Sequence, residues 1–574
     1  MIGPASAWLL APLVCLLLAS GAAGQEAPEV GFLGRPSPAK FRQPMYNFQA
    51  PLVEDLRPVE AQLADRPARK PQTYGVIVDC GSSGTRAHIY HWATEIDFSL
   101  QMLHDIEPLR HPADGRPISR KITPGLAKLA PASKEQRVAY IRPLIEFIAA
   151  NIPQSRHKYT AIYFMATAGM RLISAQRRES IMNDLLAFIE SEYSFAKVDT
   201  SVISGADEGM YQWISINARR KRFLGTNTSA RRKTFAVVEM GGASIQVTYQ
   251  LRPGVSTATA RALPKSLQPL FWAQVVEPAI SRSDVLAHNY RLHSTTFLGL
   301  GVNSAREAYV DLLIRERRLV RPLVTRCKSA HDLSCATDSS EPAERAPKIQ
   351  VYDDPCLPRN YQTPITEARR RPTRMLAHEA AAGASTIGFL AHDESEPTFR
   401  ALLRGSANHE QCAKLVEKML QVAKEESMHC SLGDTADFCT MGLLGERFVP
   451  FKQLSFMAIS GFYHALTNSI IGLEEKYDHQ RVLEQTRFIC NMSHEQLGEH
   501  FKEANIKHEY LLSACFRAVF AQTFLTKGLR MPEKFGRLET KNQLGGEELD
   551  WTLGAILDKS LAIERATDLR VALQ

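Results

Sequence analysis

Two short stretches of this chain repeat one design, and that repeat narrows the possible folds more than any other feature. The first runs Tyr74-Gly75-Val76-Ile77-Val78-Asp79-Cys80-Gly81-Ser82-Ser83-Gly84-Thr85-Arg86, and the second Phe235-Ala236-Val237-Val238-Glu239-Met240-Gly241-Gly242-Ala243-Ser244-Ile245-Gln246. Each is an apolar β-forming run that ends in a carboxylate and turns through small residues. Glycine and serine let a backbone approach a phosphate and aim N–H groups at it, while an acid at the strand end can hold a divalent cation or its waters. One such loop alone is most often a plain hairpin. Two of them imply lobes whose loops face each other across a phosphate chain.

Val138, Ile141, Leu144, Ile145 and Ile148 fall at helical spacing and predict a helix over residues 136–150. Tyr159 to Met165 reads as an apolar strand that delivers Thr167 and Arg171 to a turn at the head of a helix. Strands that alternate with helices indicate the α/β class. A chain of 574 residues suits two lobes plus appendages rather than one core. The formal charge of +8 is modest for that length, and a nucleic-acid binder would show a concentrated stripe. The basic runs Arg219 to Arg222 and Arg231 to Lys233 lack interleaved aromatics and read as a solvated loop, with proteolytic processing after Arg222 as the sharper alternative. Nucleic acid is therefore not an expected partner.

The N-terminus reads as a targeting segment. An apolar run from Trp8 to Ala19, followed by Ser20 to Gly24 and polar Gln25-Glu26, suits a signal peptide cleaved after Gly24. An uncleaved anchor is the alternative, and only that would put the chain in a membrane. Leu454 to Leu473 lacks Asp, Glu, Lys and Arg, but its Ser460, Gly461, His464, Thr467 and Asn468 favour a buried globular segment. Residues 25–72 carry recurrent prolines and little periodicity, as a stem or pro-region would. Of ten cysteines, Cys15 leaves with the signal, and the others suit an oxidising compartment if most pair. The sequons at Asn227 and Asn491 agree with a secretory route.

Together with Ala166-Thr167-Ala168-Gly169-Met170-Arg171 and Ser204 to Trp213, the two loops resemble the first four signature regions of the ectonucleoside triphosphate diphosphohydrolases, or apyrases. Similar matches follow at Phe297 to Arg306, Asp354-Pro355-Cys356-Leu357-Pro358, Phe456 to Tyr463 and Trp551 to Ala555. The detail around Asp354 and from Tyr290 to Tyr309 is most similar to the Golgi and lysosomal branch, which favours nucleoside diphosphates. The resemblance implies two ribonuclease H-like lobes, of the superfamily that includes actin, with the nucleotide in the cleft between them. The first lobe would span residues 73–201 and regain 532–574, and the second 202–531. It also implies disulfides Cys430–Cys439 and Cys490–Cys515, with Cys356–Cys412 as a third. Cys327 with Cys335 is suggested by proximity alone, which leaves Cys80 as a buried free thiol.

Hydrolysis of a phosphoanhydride needs charge neutralisation, an aligned water and a group to take its proton. By the resemblance, Glu208 is the general base, Ser244 helps position the water, and Thr167 completes the site. Gln246 would hold a water of the metal shell. Asp79 and Glu239 would bind Ca²⁺ or Mg²⁺ largely through water, with Trp551 nearby or else simply in the core. Ser82, Ser83, Gly84, Thr85 and Arg86 would contact the phosphates of a nucleoside di- or triphosphate, with backbone N–H groups of Gly241, Gly242 and Ala243. Arg171 would brace the loop through an ion pair, and Phe462 or Tyr463 would stack on the base. Nothing basic is placed to activate Cys80, so direct attack by water is expected rather than a covalent intermediate. Two positions depart from the family pattern: Glu239 replaces an aspartate and Ile245 a threonine. The rival readings are a nucleotide-binding protein with weakened catalysis, and a kinase or chaperone of the same superfold.

Overall fold

The structure is a computed structural model that describes residues 72–93, 106–223, 234–250, 270–276, 287–317, 323–326, 348–365, 401–428, 451–467, 470–473, 475–504 and 506–560. Strand β1 (Gln72–Cys80) buries Val76, Ile77 and Val78 completely, as a strand covered on both faces must. It pairs antiparallel with β2 (Thr85–Ala93) and parallel with β5 (Ala161–Ala166), which pairs parallel with β6 (Lys197–Val202). The short strands β3 (Glu107–Pro108) and β4 (Ser119–Ile122) add to β2.

The second sheet repeats that plan. Strand β7 (Phe235–Met240) pairs antiparallel with β8 (Ser244–Gln250) and parallel with β15 (Ser455–Ser460), which pairs parallel with β16 (Leu538–Thr540). Strands β10 (Ala287–Leu298) and β9 (Leu270–Val276) extend it beyond β8. The two loops are thus equivalent hairpins: Asp79 sits opposite Arg86, and Glu239 opposite Gln246. A smaller sheet orders β11 (Leu323–Arg326), β12 (Lys348–Asp354), β14 (Ala401–Gly405) and β13 (Gln362–Ile365). Leu454 to Leu473 is globular as expected: it supplies β15 and a buried turn of helix, Gly461–Leu466. Among the described residues no helix is long and apolar enough to cross a membrane.

Helix α1 (Lys134–Asn151) opens on a capping box between Ser133 and Gln136. It packs with α2 (Ala175–Glu192) over one face of the first sheet, joining Ile141, Leu144, Ile148, Leu185 and Ile189 to Val76, Val78 and Phe164. The other face meets α3 (Gly205–Arg219), whose Trp213 and Ile216 share a core with Ile77 and Tyr163 of the first sheet and Val237 and Met457 of the second. Residues 552–560 form a further helix in that same core, through Ala555 and Ile556. Helix α3 lies tightly on the second sheet because it presents glycines one turn apart. A Cβ on Gly205 would fall 2.3 Å from Thr296 Cβ, and one on Gly209 would fall 2.5 Å from Thr248 Oγ1.

Beyond the second sheet lie α4 (Val302–Arg317), α5 (His409–Met428) and α6 (His508–Thr523). Disulfides Cys356–Cys412 and Cys490–Cys515 staple this region, with Cys412 Sγ and Cys515 Sγ 3.9 Å apart. Cys80 is free and buried. The expected pairs Cys430–Cys439 and Cys327–Cys335, and the sequon at Asn227, lie outside the described residues.

Candidate active site

Strand alternation decides which loop residues face the space between the sheets. Asp79 shares its face with Ile77 and points toward α3, while Val78 and Cys80 point into the α1–α2 core. Likewise Glu239 faces the cleft, and Met240 and Val238 face the opposite core. The two hairpins meet closely: a Cβ on Gly242 would lie 2.4 Å from Ser82 Oγ. The cleft between them encloses about 300 Å³ and is lined by Asp79, Ser82, Ser83, Gly84, Arg86, Thr167, Glu208, Glu239, Gly242, Ala243, Ser244 and Trp551.

The start of α4 shapes the second loop. The Val302 N–H donates to the Gly241 carbonyl at 2.9 Å, and those of Asn303 and Ser304 donate to the Gly242 carbonyl at 2.9 and 3.2 Å. With its carbonyls held from behind, the turn can offer the N–H groups of Gly242 and Ala243 to an anion. Gly241 cannot do the same, because its N–H donates to the Ser244 carbonyl at 2.9 Å.

Glu208 sits in the first turn of α3, where Ser204 accepts the Asp207 N–H as N-cap. Its Oε2 accepts from Arg171 Nη2 at 2.6 Å and from Gln246 Nε2 at 3.2 Å. Gln246 Nε2 also lies 2.7 Å from Ser244 Oγ and 3.0 Å from Thr296 Oγ1. Arg171 and Glu208 are nearly dry, with side chains 7% and 11% exposed. The ion pair expected of Arg171 therefore exists, and its partner is the candidate base itself.

Burial, then repulsion from Glu208 and Asp550, pushes the Asp79 carboxyl up to about 8. Burial and then Glu208 raise Glu239 as well, against the opposing hydrogen bond from the Ser460 hydroxyl. Asp79 Oδ1 and Gln246 Oε1 are buried with no hydrogen-bond partner among the described residues. Three carboxylates, Asp79, Glu208 and Glu239, line the one cleft, and the orphaned Asp79 oxygen among them suits a hard divalent cation. Cys80 is pushed well above the ordinary thiol range by burial and then by Asp79, which makes it a poor nucleophile.

Several expected contacts fail. Thr85 is fully buried and hydrogen-bonded to Tyr140, because alternation sends it to the face opposite Arg86. Phe462 is fully buried beside Phe524 and cannot stack on a base, and half-buried Tyr463 stands against His464 outside the cleft lining. Trp551 lines the cleft and stacks on Tyr211; its indole N–H only donates, so it could serve a cation through a water and never as a direct ligand. Ile245 points into the core away from the cleft, so its replacement of threonine leaves the cleft lining unaltered.

Other residues were not anticipated. Lys121 and Asp550 line the cleft, and Ser460 reaches Glu239 from a strained backbone with φ +56°. A second cavity of about 600 Å³ adjoins the first through Ser82, Gly242 and Ala243 and is walled by Asn303, Arg306, Tyr361 and Phe516. The Arg306 guanidinium lies 5.2 Å from the Phe516 ring centre, and the rings of His494 and His508 back Tyr361.

The sequence matches the GDA1/CD39 (nucleoside phosphatase) family over residues 66–572. The chain belongs to that family. Among its relatives, ectonucleoside triphosphate diphosphohydrolase 7 of Homo sapiens is 28% identical over 505 residues, covering 85% of this chain and 73% of that protein. Nucleoside-diphosphatase mig-23 of Caenorhabditis elegans is 26% identical, covering 88% of this chain and 81% of the relative. A crystal structure of nucleoside triphosphate hydrolases from Neospora caninum shares the fold, with TM-score 0.55 at 15% identity, covering 88% of this chain and 95% of that one. As a GDA1/CD39 protein the chain is a nucleotide phosphohydrolase, and it has the family's α/β fold with a cleft between paired lobes.

Proposed function

We propose that the cleft removes the terminal phosphate of nucleoside di- or triphosphates by direct attack of water, with Glu208 as general base. The observation that carries this reading is the anchored carboxylate. Glu208 is held by Arg171 and Gln246 beside Ser244, between the two glycine hairpins. A carboxylate fixed at that point can orient a water and accept its proton, assistance worth ~10²–10⁴ in rate. Ser82, Ser83 and Gly84 with the N–H groups of Gly242 and Ala243 would receive the phosphates, and Lys121 would add charge to Arg86. The adjoining cavity would take the nucleoside, with part-buried Tyr361 as its aromatic face in place of Phe462 and Tyr463, and the Arg306 guanidinium, backed by Phe516, as its other wall.

Asp79 and Glu239 would hold Ca²⁺ or Mg²⁺, with Gln246 Oε1 toward its shell. Such a cation, when bound, neutralises charge on the phosphates and on the acidic cluster. The signal-like N-terminus, the disulfides and the exposed sequon at Asn491 support a site of action in the secretory-pathway lumen. The direct test is phosphate release by the secreted protein across a nucleotide panel, with Ca²⁺, Mg²⁺ or chelator. Release that the chelator abolishes is expected. Nucleotide binding without release would instead favour a binding protein with weakened catalysis.

A further inference from the structure

Arg86, the arginine of the first phosphate loop, is already engaged. Its Nη1 donates to Glu548 Oε2 at 2.5 Å, and the two side chains are 29% and 47% exposed. Glu548 belongs to a small hairpin, β17 (Gln543–Leu544) and β18 (Glu547–Glu548), that turns through Gly545 and Gly546 at positive φ. The preceding residue moors this hairpin: Glu547 is buried and ion-paired with both Arg110 and Arg219. The following residue, Leu549, is buried, and its N–H donates to the Asn542 carbonyl at 2.8 Å. Glu548 is therefore held at the cleft mouth by neighbours on both sides, while its own carboxylate stays half in solvent.

We propose that Glu548 is a resident substitute for substrate phosphate, occupying Arg86 until a phosphate group displaces it. The proposal rests on the phosphate-site reading above. A carboxylate and a phosphate present the same face to a guanidinium, two acceptor oxygens on a negative group, so they compete for the same donors. The contrast with Arg171 and Glu208 supports exchange here. That pair is dry and braced by Gln246, and opening it leaves two buried charges. The Arg86–Glu548 pair faces solvent, so opening it costs little. Glu548 also sets its charge beside Lys121, the other cation of the cleft wall. Releasing Arg86 thus makes the mouth more receptive to an anion, and retaining Glu548 keeps the empty site from holding product phosphate too tightly.

The test compares wild type with Glu548→Gln, Glu548→Asp and Glu547→Gln. Inorganic phosphate affinity is read by calorimetry, and KM and kcat with whichever nucleoside diphosphate the wild type hydrolyses fastest. Glu548→Gln should tighten phosphate binding and lower KM together, by about two- to fivefold, the range an exposed ion pair supplies. Glu548→Asp keeps the charge and should stay nearer wild type. Glu547→Gln should lower the melting temperature without lowering KM, because it cuts the mooring rather than the competitor. A purely structural role for Glu548 predicts the opposite sign, a higher KM and weaker phosphate binding. Phosphate affinity that is unchanged or weaker in Glu548→Gln overturns the proposal. A wild type that binds phosphate but hydrolyses no nucleotide refutes the catalytic reading instead and leaves the calorimetric comparison decisive for Glu548.

Discussion

The pairing of Arg171 with Glu208 makes a demanding prediction, because two different losses are built into one contact. In Glu208→Gln the base disappears, so kcat should fall ~10²–10⁴-fold at every pH while nucleotide still binds. The same change leaves the 7%-exposed Arg171 guanidinium without its counter-charge. Breaking a buried pair from one side typically costs about 3–5 kcal/mol, so urea midpoints should drop as well. In Arg171→Met the base survives but loses a charge-assisted hydrogen bond of about 1.5–3 kcal/mol that aligns it, or roughly 10–150-fold in rate. Glu208 then also faces Asp79 and Glu239 without a cation beside it. The Arg171→Met/Glu208→Gln double variant should turn over no more slowly than Glu208→Gln alone and should regain part of the stability lost by either single change. Stopped-time phosphate assays and urea titrations of the four proteins complete the cycle. If the two activity losses multiplied in the double variant, Arg171 would be acting independently of Glu208, and the positioning argument would fall.

His293 stacks on Tyr249, its Nε2 has no partner among the described residues, and burial pulls the imidazole down to about 4. The unfolded chain therefore binds a proton that the folded one refuses between about pH 6.5 and 4, and stability should fall by about 3 kcal/mol as pH drops through that window. His293→Phe should flatten this slope in urea titrations, and an unaltered slope would count against it. Glu239→Asp should narrow a preference for Ca²⁺ over Mg²⁺, since Ca²⁺ tolerates irregular oxygen shells better, and identical metal profiles at matched free concentrations would show that the site absorbs the longer side chain. Tyr361→Ala should raise KM roughly tenfold or more through lost stacking with kcat less affected, and an unchanged KM would move the nucleoside out of that cavity. Non-reducing peptide mapping should recover Cys356–Cys412 and Cys490–Cys515, with Cys80 alkylated only after unfolding. A Cys412–Cys515 link in native protein would contradict the pairing.

What could be read from the chain was what local chemistry decides. Buried apolar runs marked β1 and β7, the spacing of Ile141, Leu144 and Ile148 marked α1, and small residues after an acid marked both hairpins. A motif read letter by letter misses the pleat of the strand that carries it. Thr85 and Arg86 are neighbours on one strand and cannot both face the cleft. At Phe462 a core ring and a stacking ring look alike in sequence, and only the packing against Phe524 separates them. Only long-range packing brings Glu548 and Asp550 to the cleft and Tyr361 to the adjoining cavity, and no local pattern encodes it. Glu548 is 462 residues from Arg86.

Both hairpins of the cleft lean on glycines that do not line it. A Cβ on Gly125 would fall 2.3 Å from the Ser82 carbonyl oxygen, one on Gly169 would fall 2.8 Å from Ser82 Cα, and one on Gly301 would fall 2.2 Å from the Ala243 nitrogen. In each case the obstacle is main chain, which cannot swing aside as a flexible side chain would. The inherited vulnerability of this enzyme therefore extends beyond its acids and hydroxyls. A single methyl group at any of these three places would press on a loop from behind and deform the proposed anion cradle with every functional group still present. In a mutational survey such positions should behave like active-site residues, although no probe that reads reactivity or charge would ever find them.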